Sequence, residues 1–229
     1  MPMLSEKHRI AYFSVPKAAC TSLKRAMYKI ENGRSYRAFR RANNVDQTLQ
    51  QAFPSQPFDR SSMEGLDDYW TFTVVRDPAT RVISAFHNKL SIWSRVFAAA
   101  LADEARRDES IANGIEEKPT LERFILNIQA YRKAFTRVRR HTDMASVYLG
   151  NDLSVFSKVY PIERMKDVHA DLEKRVGKTI KIPKANTSPK PKLELSPKAV
   201  NALLDYATPD YEFLAEFYSR QDAEKALAG

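Results

Sequence analysis

Two short apolar runs limit what this chain can fold into more than any other feature of its sequence. His8 to Val15 reads HRIAYFSV and ends at Pro16, and Tyr69 to Val75 reads YWTFTVV and ends at Arg76-Asp77-Pro78. The first run is nearly continuously apolar, which predicts a strand buried on both faces of a parallel sheet, and the second is rich in aromatic and β-branched residues, which predicts another strand. Helix punctuation follows both. After the first run Leu23, Met27 and Ile30 recur at helical spacing, predicting a helix from Thr21 or Ser22 to Ile30 that Asn32-Gly33 stops. After the second, Asp77 and Pro78 pair an N-cap with proline at the first helical position, which satisfies one exposed amide and removes another. Val155 to Tyr160 predicts a third strand, followed by a helix from Arg164 to Val176. Strand alternating with helix across short connections predicts an α/β fold around a central parallel sheet.

The remaining segments are mostly helical. Residues 35–52 predict a polar helix, 53–65 a Pro/Ser loop, and two helices follow Asp77, one to about Trp93 and one through Arg107. Thr120 caps another to about Phe135, and Ser196-Pro197 and Thr208-Pro209 each predict the start of a short helix. With 229 residues, 43% of them hydrophobic, the chain is expected to form one domain, 1–229, with the helical segment 94–140 as a subregion. The longest apolar run, Val96 to Ala102, is far short of the roughly 20 residues that a membrane span needs. The polar start MPMLSEKHR offers no apolar segment for a secretory signal, so a cytoplasmic protein or a trimmed catalytic domain is expected. A single cysteine, Cys20, excludes an internal disulfide framework and a cysteine-based metal cluster, and no metal is expected.

Charge narrows the partners. Lys and Arg number 37 against 28 Asp and Glu, a net +9, with the excess in residues 1–60 and 121–180. Arg34 to Arg41 holds four arginines and Arg123 to Arg140 six basic residues, neither stretch containing an acid. Such patches concentrate anionic ligands, whether nucleic acid, an anionic cofactor or an acidic glycan. The turn after the first strand, Pro16 to Ser22, places free helix-start amides and the positive end of a helix dipole beside Lys17, an anion cradle. It contains no glycine, which excludes a Walker A loop. Arg76, at the carboxyl end of the second strand, lies where open α/β sheets bind ligands, and Ser84 two turns on adds a hydroxyl donor.

Together PKAACTSLKRAM (16–27) and DDYWTFTVVRDPATRVISAFHNKL (67–90) resemble the two phosphate motifs of sulfotransferases that use 3′-phosphoadenosine 5′-phosphosulfate (PAPS), closest to the carbohydrate sulfotransferase branch, sulfotransferase family 2. The resemblance continues through His141 to Leu149, VYPIERMKDVHADLEKRVG (159–177) and TPDYEFLAEFY (208–218). It implies a three-layer αβα fold like that of nucleotide kinases and transfer of a sulfuryl group from PAPS to a hydroxyl of a carbohydrate or glycan-like acceptor. Under that resemblance Lys17 holds the bridging oxygen of the phosphosulfate, Ala19, Cys20, Thr21 and Ser22 donate to the 5′-phosphate, and Arg76 and Ser84 grip the 3′-phosphate. Lys17 then stabilises the charge that develops on the leaving phosphate.

Departures from the wider family are equally plain. Cytosolic sulfotransferases carry Ser-Gly-Thr-Thr-Trp after the Pro-Lys, where this chain has Ala18-Ala19-Cys20-Thr21-Ser22, and their Arg-Lys-Gly adenosine-binding segment has no counterpart. KIPKANTSPKPK (181–192) is nearest in position. Related enzymes often draw their base from between the two phosphate motifs, yet no histidine occurs between residues 9 and 86. His141 and His87 are the histidine candidates for the base, Glu64 and Asp68 the carboxylate ones, and His169, in a charged helix, reads as a surface residue. Arg132, Lys133, Arg137 and Arg140, at helical spacing, predict one basic face beside His141, suited to an acidic acceptor rather than to nucleic acid. The competing reading is a non-catalytic basic protein of the same fold that binds phosphorylated ligands or RNA.

Overall fold

The structure, a computed structural model, describes residues 1–40, 46–183 and 194–228. In chain order its strands are β1 (Met3–Ser5), β2 (Ile10–Phe13), β3 (Phe39–Arg40), β4 (Asp46–Gln47), β5 (Trp70–Val75) and β6 (Lys158–Pro161). Its helices are α1 (Cys20–Asn32), α2 (Leu49–Ala52), α3 (Pro78–Ala102), α4 (Glu104–Ala112), α5 (Leu121–Leu126), α6 (Ile128–Ala134), α7 (Thr136–Thr142), α8 (Ser146–Leu149), α9 (Met165–Val176), α10 (Pro197–Phe213) and α11 (Arg220–Ala228). They fall into two compact units, residues 1–76 with 145–187 and residues 77–144 with 188–229.

The first unit is built on a four-stranded sheet in the order β1-β2-β5-β6. β2, β5 and β6 are parallel, with Ile10 opposite Trp70 and Phe72 opposite Lys158, and β1 adds an antiparallel edge. All residues of β2 and β5 are buried, including Thr71 and Thr73, which alternate with Trp70, Phe72 and Val74 along β5. Aromatic rings fill the middle of the sheet: Tyr12 stacks on Phe72 at 5.0 Å and Trp70 on Phe72 at 4.7 Å. Leu23, Met27 and Ile30 of α1 are buried at the spacing read from the sequence, and Gly33 closes the helix at a φ of 70°, donating its amide to Lys29. The described residues of 35–52 do not form the expected polar helix; 41–45 lie outside them. A short β3-β4 hairpin, tied by Tyr36 Oη donating to the Gln47 carbonyl at 2.8 Å, and the single turn of α2 stand there instead.

The second unit is helical, around a core that includes Trp93, Phe97, Phe124, Tyr131 and Leu203. Asp77 caps α3 as expected, accepting the Thr80 amide at 2.8 Å ahead of Pro78. Two helices were expected after it and two form, α3 and α4, but the break falls at Asp103 instead of after Trp93. Beyond Trp93 the helix simply continues, and Ser94 turns its hydroxyl back onto the Leu90 carbonyl at 2.7 Å. The reverse holds for 120–135, where Asn127 leaves helical geometry and splits α5 from α6. The Asn127 side chain packs closely against Gly114, where a Cβ would stand 2.6 Å from its oxygen. Thr208-Pro209 starts no new helix either: Thr208 Oγ1 bonds back to the Leu204 carbonyl at 3.0 Å and α10 continues to Phe213.

A buried ion pair anchors α3 to α10. Arg81 Nη2 lies 2.9 Å from Asp210 Oδ2 and 2.6 Å from the Asp143 carbonyl, and the two side chains are 1% and 2% exposed. Tyr211 Oη adds a hydrogen bond to Asp77 Oδ2 at 3.0 Å and accepts the Ala79 amide at 3.3 Å. Asp210→Ala leaves the guanidinium buried without its counter-charge, so it is expected to destabilise the protein by about 3–5 kcal/mol, measured by urea denaturation.

Candidate active site

The loop between β2 and α1 reaches the geometry of a glycine-rich turn without a glycine. Lys17 and Ala19 take left-handed backbone, at φ 69° and φ 55°, a conformation that costs an L-residue roughly 1–2 kcal/mol. Buried Val15 and Ala18 pin it from within, the Ala18 amide donating to the Val15 carbonyl at 3.3 Å. Left-handed residues at such a turn are the backbone ingredient of anion-binding nests. Ala19, the N-cap of α1, contributes no side-chain cap, and no acidic residue stands in the first turn to offset the helix dipole. Of the positions the sequence indicates, Lys17, Ala19, Cys20 and Thr21 are half-exposed and Ser22 is buried.

Arg76 joins this loop. β2 and β5 are parallel neighbours, so their carboxyl ends emerge at the same edge of the sheet, and Arg76 Nη1 donates to the Lys17 carbonyl at 3.4 Å. Asp68, by contrast, precedes β5 and pairs with Arg9 at 3.4 Å, beyond the opposite end of the strands. A strand's length therefore separates it from Lys17, and it is removed as a base for this loop. Glu64 is exposed and closes a 3₁₀ turn, its amide donating to the Ser61 carbonyl. His169 is not a free surface residue as expected: its Nε2 donates to the Ile180 carbonyl at 2.7 Å. Of the segment 181–192, residues 184–192 lie outside the described residues, as does Arg41 of the first basic stretch.

Ser84, His87 and His141 belong to the helical unit. Ser84 and His87 stand three residues apart on α3, hence on neighbouring positions of one face. His87 is exposed, and partial desolvation lowers its pKa below the ordinary imidazole value, which favours the neutral form that a base requires. His141, in the last turn of α7, is half-buried with its ring 6.2 Å from Trp93. The single basic face expected around it is not formed as such. Phe135 interrupts the helix between α6 and α7, and Arg132 is drawn inward, bonding Thr142 Oγ1 at 2.9 Å and Asp143 Oδ1 at 2.8 Å with its guanidinium over the Tyr206 ring. Lys133, Arg137 and Arg140 remain exposed.

Three residues around the loop escaped the sequence reading. Lys24 Nζ donates to Gln50 Oε1 at 3.0 Å and to Ser55 Oγ at 3.1 Å, and Gln50 Nε2 donates to Thr21 Oγ1 at 2.7 Å. Lys24 lies 26 residues before Gln50 and 31 before Ser55, so no local pattern joins it to them.

Comparison with known proteins agrees with the motif resemblance. A family model described as "Sulfotransferase family" matches residues 2–218. Human "Carbohydrate sulfotransferase 9" is 30% identical over 119 residues, which cover 48% of this chain and 27% of the human protein. No solved structure matches the chain significantly.

The strained turn carries its own prediction. Ala19→Gly relieves the left-handed penalty at the expense of some unfolded-state entropy, so it is expected to raise the thermal midpoint, by about 0.5–1 kcal/mol in stability, whereas the β-branched Ala19→Val lowers it.

Proposed function

The chain belongs to the sulfotransferase family, and we propose that it moves a sulfuryl group from PAPS to a hydroxyl of a carbohydrate or glycan-like acceptor. The observation that carries the donor assignment is the meeting of Lys17 and Arg76 at one edge of the sheet, in a loop whose helix start is uncapped. PAPS supplies the sulfuryl group and, in the departing bisphosphate, the leaving group. Lys17 holds the bridging oxygen with a mobile cation, so its charge matters most as negative charge builds there. The backbone of Ala19 to Ser22 and the hydroxyls of Thr21 and Ser22 receive the 5′-phosphate at the helix start. Arg76 and Ser84 bind the 3′-phosphate, Arg76 through a charge-assisted fork.

His141 is the first choice for the group that takes the acceptor's proton, with His87 second. Both lie in the helical unit, as does segment 94–140, which we assign to the acceptor. Arg137 and Arg140, exposed on α7 beside His141, suit an acceptor that carries carboxylates or sulfates. The human relative's name agrees with a carbohydrate acceptor.

Donor binding is tested with the desulfated product. Adenosine 3′,5′-bisphosphate is expected to raise the thermal midpoint well above the shift from adenosine 5′-monophosphate, because only the former engages Arg76 and Ser84. Arg76→Ala should erase the difference, a contact worth about 1.5–3 kcal/mol. Equal shifts in the native protein reject the assignment. Lys17→Ala should lower turnover on the order of 10²-fold while product affinity changes less.

The acceptor is tested by sulfate transfer to a panel of neutral and acidic glycans. Activity on acidic ones is expected to weaken as salt shortens the Debye length from about 10 Å at 0.1 M to about 3 Å at 1 M. Charge reversal at Arg137 and Arg140 should raise the acceptor KM alone. Salt-insensitive transfer to neutral glycans rules out the acidic acceptor.

A further inference from the structure

Lys24 stands on the sheet unit's helix α1, one turn after Cys20, and is only 1% exposed. Burial lowers its pKa, the mark of a cation held where water cannot solvate it. Its two hydrogen bonds go to the neutral oxygens of Gln50 and Ser55, and no carboxylate among the described residues pairs with it. Packing does not account for the charge, because an apolar side chain of similar length fills such a space at less desolvation cost.

Both arms of the lysine end on the phosphosulfate loop. On one side Ser55 Oγ shares a hydrogen with Ser14 Oγ at 2.8 Å, just after β2. On the other, the ammonium occupies the Gln50 carbonyl oxygen, so the amide nitrogen faces Thr21 Oγ1 in the first turn of α1. The two contacts bracket residues 15–20, the segment in which Lys17 and Ala19 hold left-handed backbone.

We propose that Lys24 is a positioning residue for the 5′-phosphosulfate of the donor, a role that rests on the donor reading above. Through Gln50 and Ser55 it holds Ser14 and Thr21, the two ends of the loop, in the geometry that receives the anion. The bound anion in turn supplies the negative charge that the buried ammonium otherwise lacks.

Lys24→Met removes the charge and keeps the stem. Its affinities for adenosine 3′,5′-bisphosphate and for adenosine 3′-monophosphate, which lacks the 5′ group, are compared with those of the native protein by calorimetry, alongside the thermal midpoint. The expected result is a loss of about tenfold for the bisphosphate, the scale on which a residue acting through others modulates binding, with the 3′-monophosphate unaffected and the midpoint unchanged or raised. Equal losses for both ligands, or none, overturn the role. Should Lys24→Met fail to fold, Gln50→Leu and Ser55→Ala each cut one arm and are expected to show the same selective loss at smaller size; unselective losses there overturn it too. A native protein that binds the bisphosphate no better than the 3′-monophosphate overturns the 5′-site reading itself, and the role of Lys24 with it.

Discussion

Because β2 and β5 run in the same direction as hydrogen-bonded neighbours, whatever follows each of them is delivered to one edge of the sheet. Lys17 follows the first and Arg76 the second, and their contact is a result of strand pairing before it is a result of side-chain chemistry. The pairing is in turn secured by burial. Every residue of both strands is covered, and the stack of Tyr12, Phe72 and Trp70 runs across them. Arg175 of α9 lays its guanidinium 4.4 Å from the centre of the Trp70 ring, extending the same cluster to a helix that follows β6. A slip of one residue in this register would send the aromatic set to the other face of the sheet and displace both cations together.

The loop that this pairing presents is under tension. Glycine is the usual means of entering left-handed backbone at such a turn, and this chain uses a lysine and an alanine instead. Strained backbone persists where surrounding structure over-determines it. Here the restraint is visible on three sides: buried Val15 and Ala18 within the loop, Arg76 on the Lys17 carbonyl, and the polar network of Lys24, Gln50 and Ser55 at its two ends. The loop's shape thus belongs to its surroundings more than to its own residues, and such a loop enters binding with little left to reorganise.

Much of this was legible in the sequence and some was not, for reasons that separate local from long-range physics. Strands β2 and β5, the Asp77-Pro78 helix start, the Gly33 stop and the two segments that resemble the family were legible because each is written in adjacent residues. The edge strand β1 was not, since three residues carry no period, although Ser5 is fully buried and its hydroxyl donates to Glu31 at 2.8 Å. Helix ends failed where a hydroxyl could serve two purposes. Thr208 resembles a cap in sequence, yet like Ser94 it turns back to a carbonyl four residues earlier once the flanking helix is held by burial. Arg132 was read as surface charge because nothing local announces that Thr142 and Asp143 will meet it. Lys24 is the same failure in the sheet unit, as its partners lie on a segment that the sequence assigned to a polar helix and a loop.

The interleaving of the two units bears on how the molecule is made. Residues 77–144 leave the ribosome after β5 and before β6, so a chain emerging from its N-terminus presents the outer edge of β5 with no strand beside it until 158–161 arrive. Closing so long a loop adds little entropy beyond that of a short one, but it makes the pairing non-local and hence slow. During that interval an apolar, unpaired edge is open to strands of other chains. The step that completes the sheet is therefore the one at which nascent chains are most exposed to misassembly, and their yield depends on how well the edge is shielded until β6 docks.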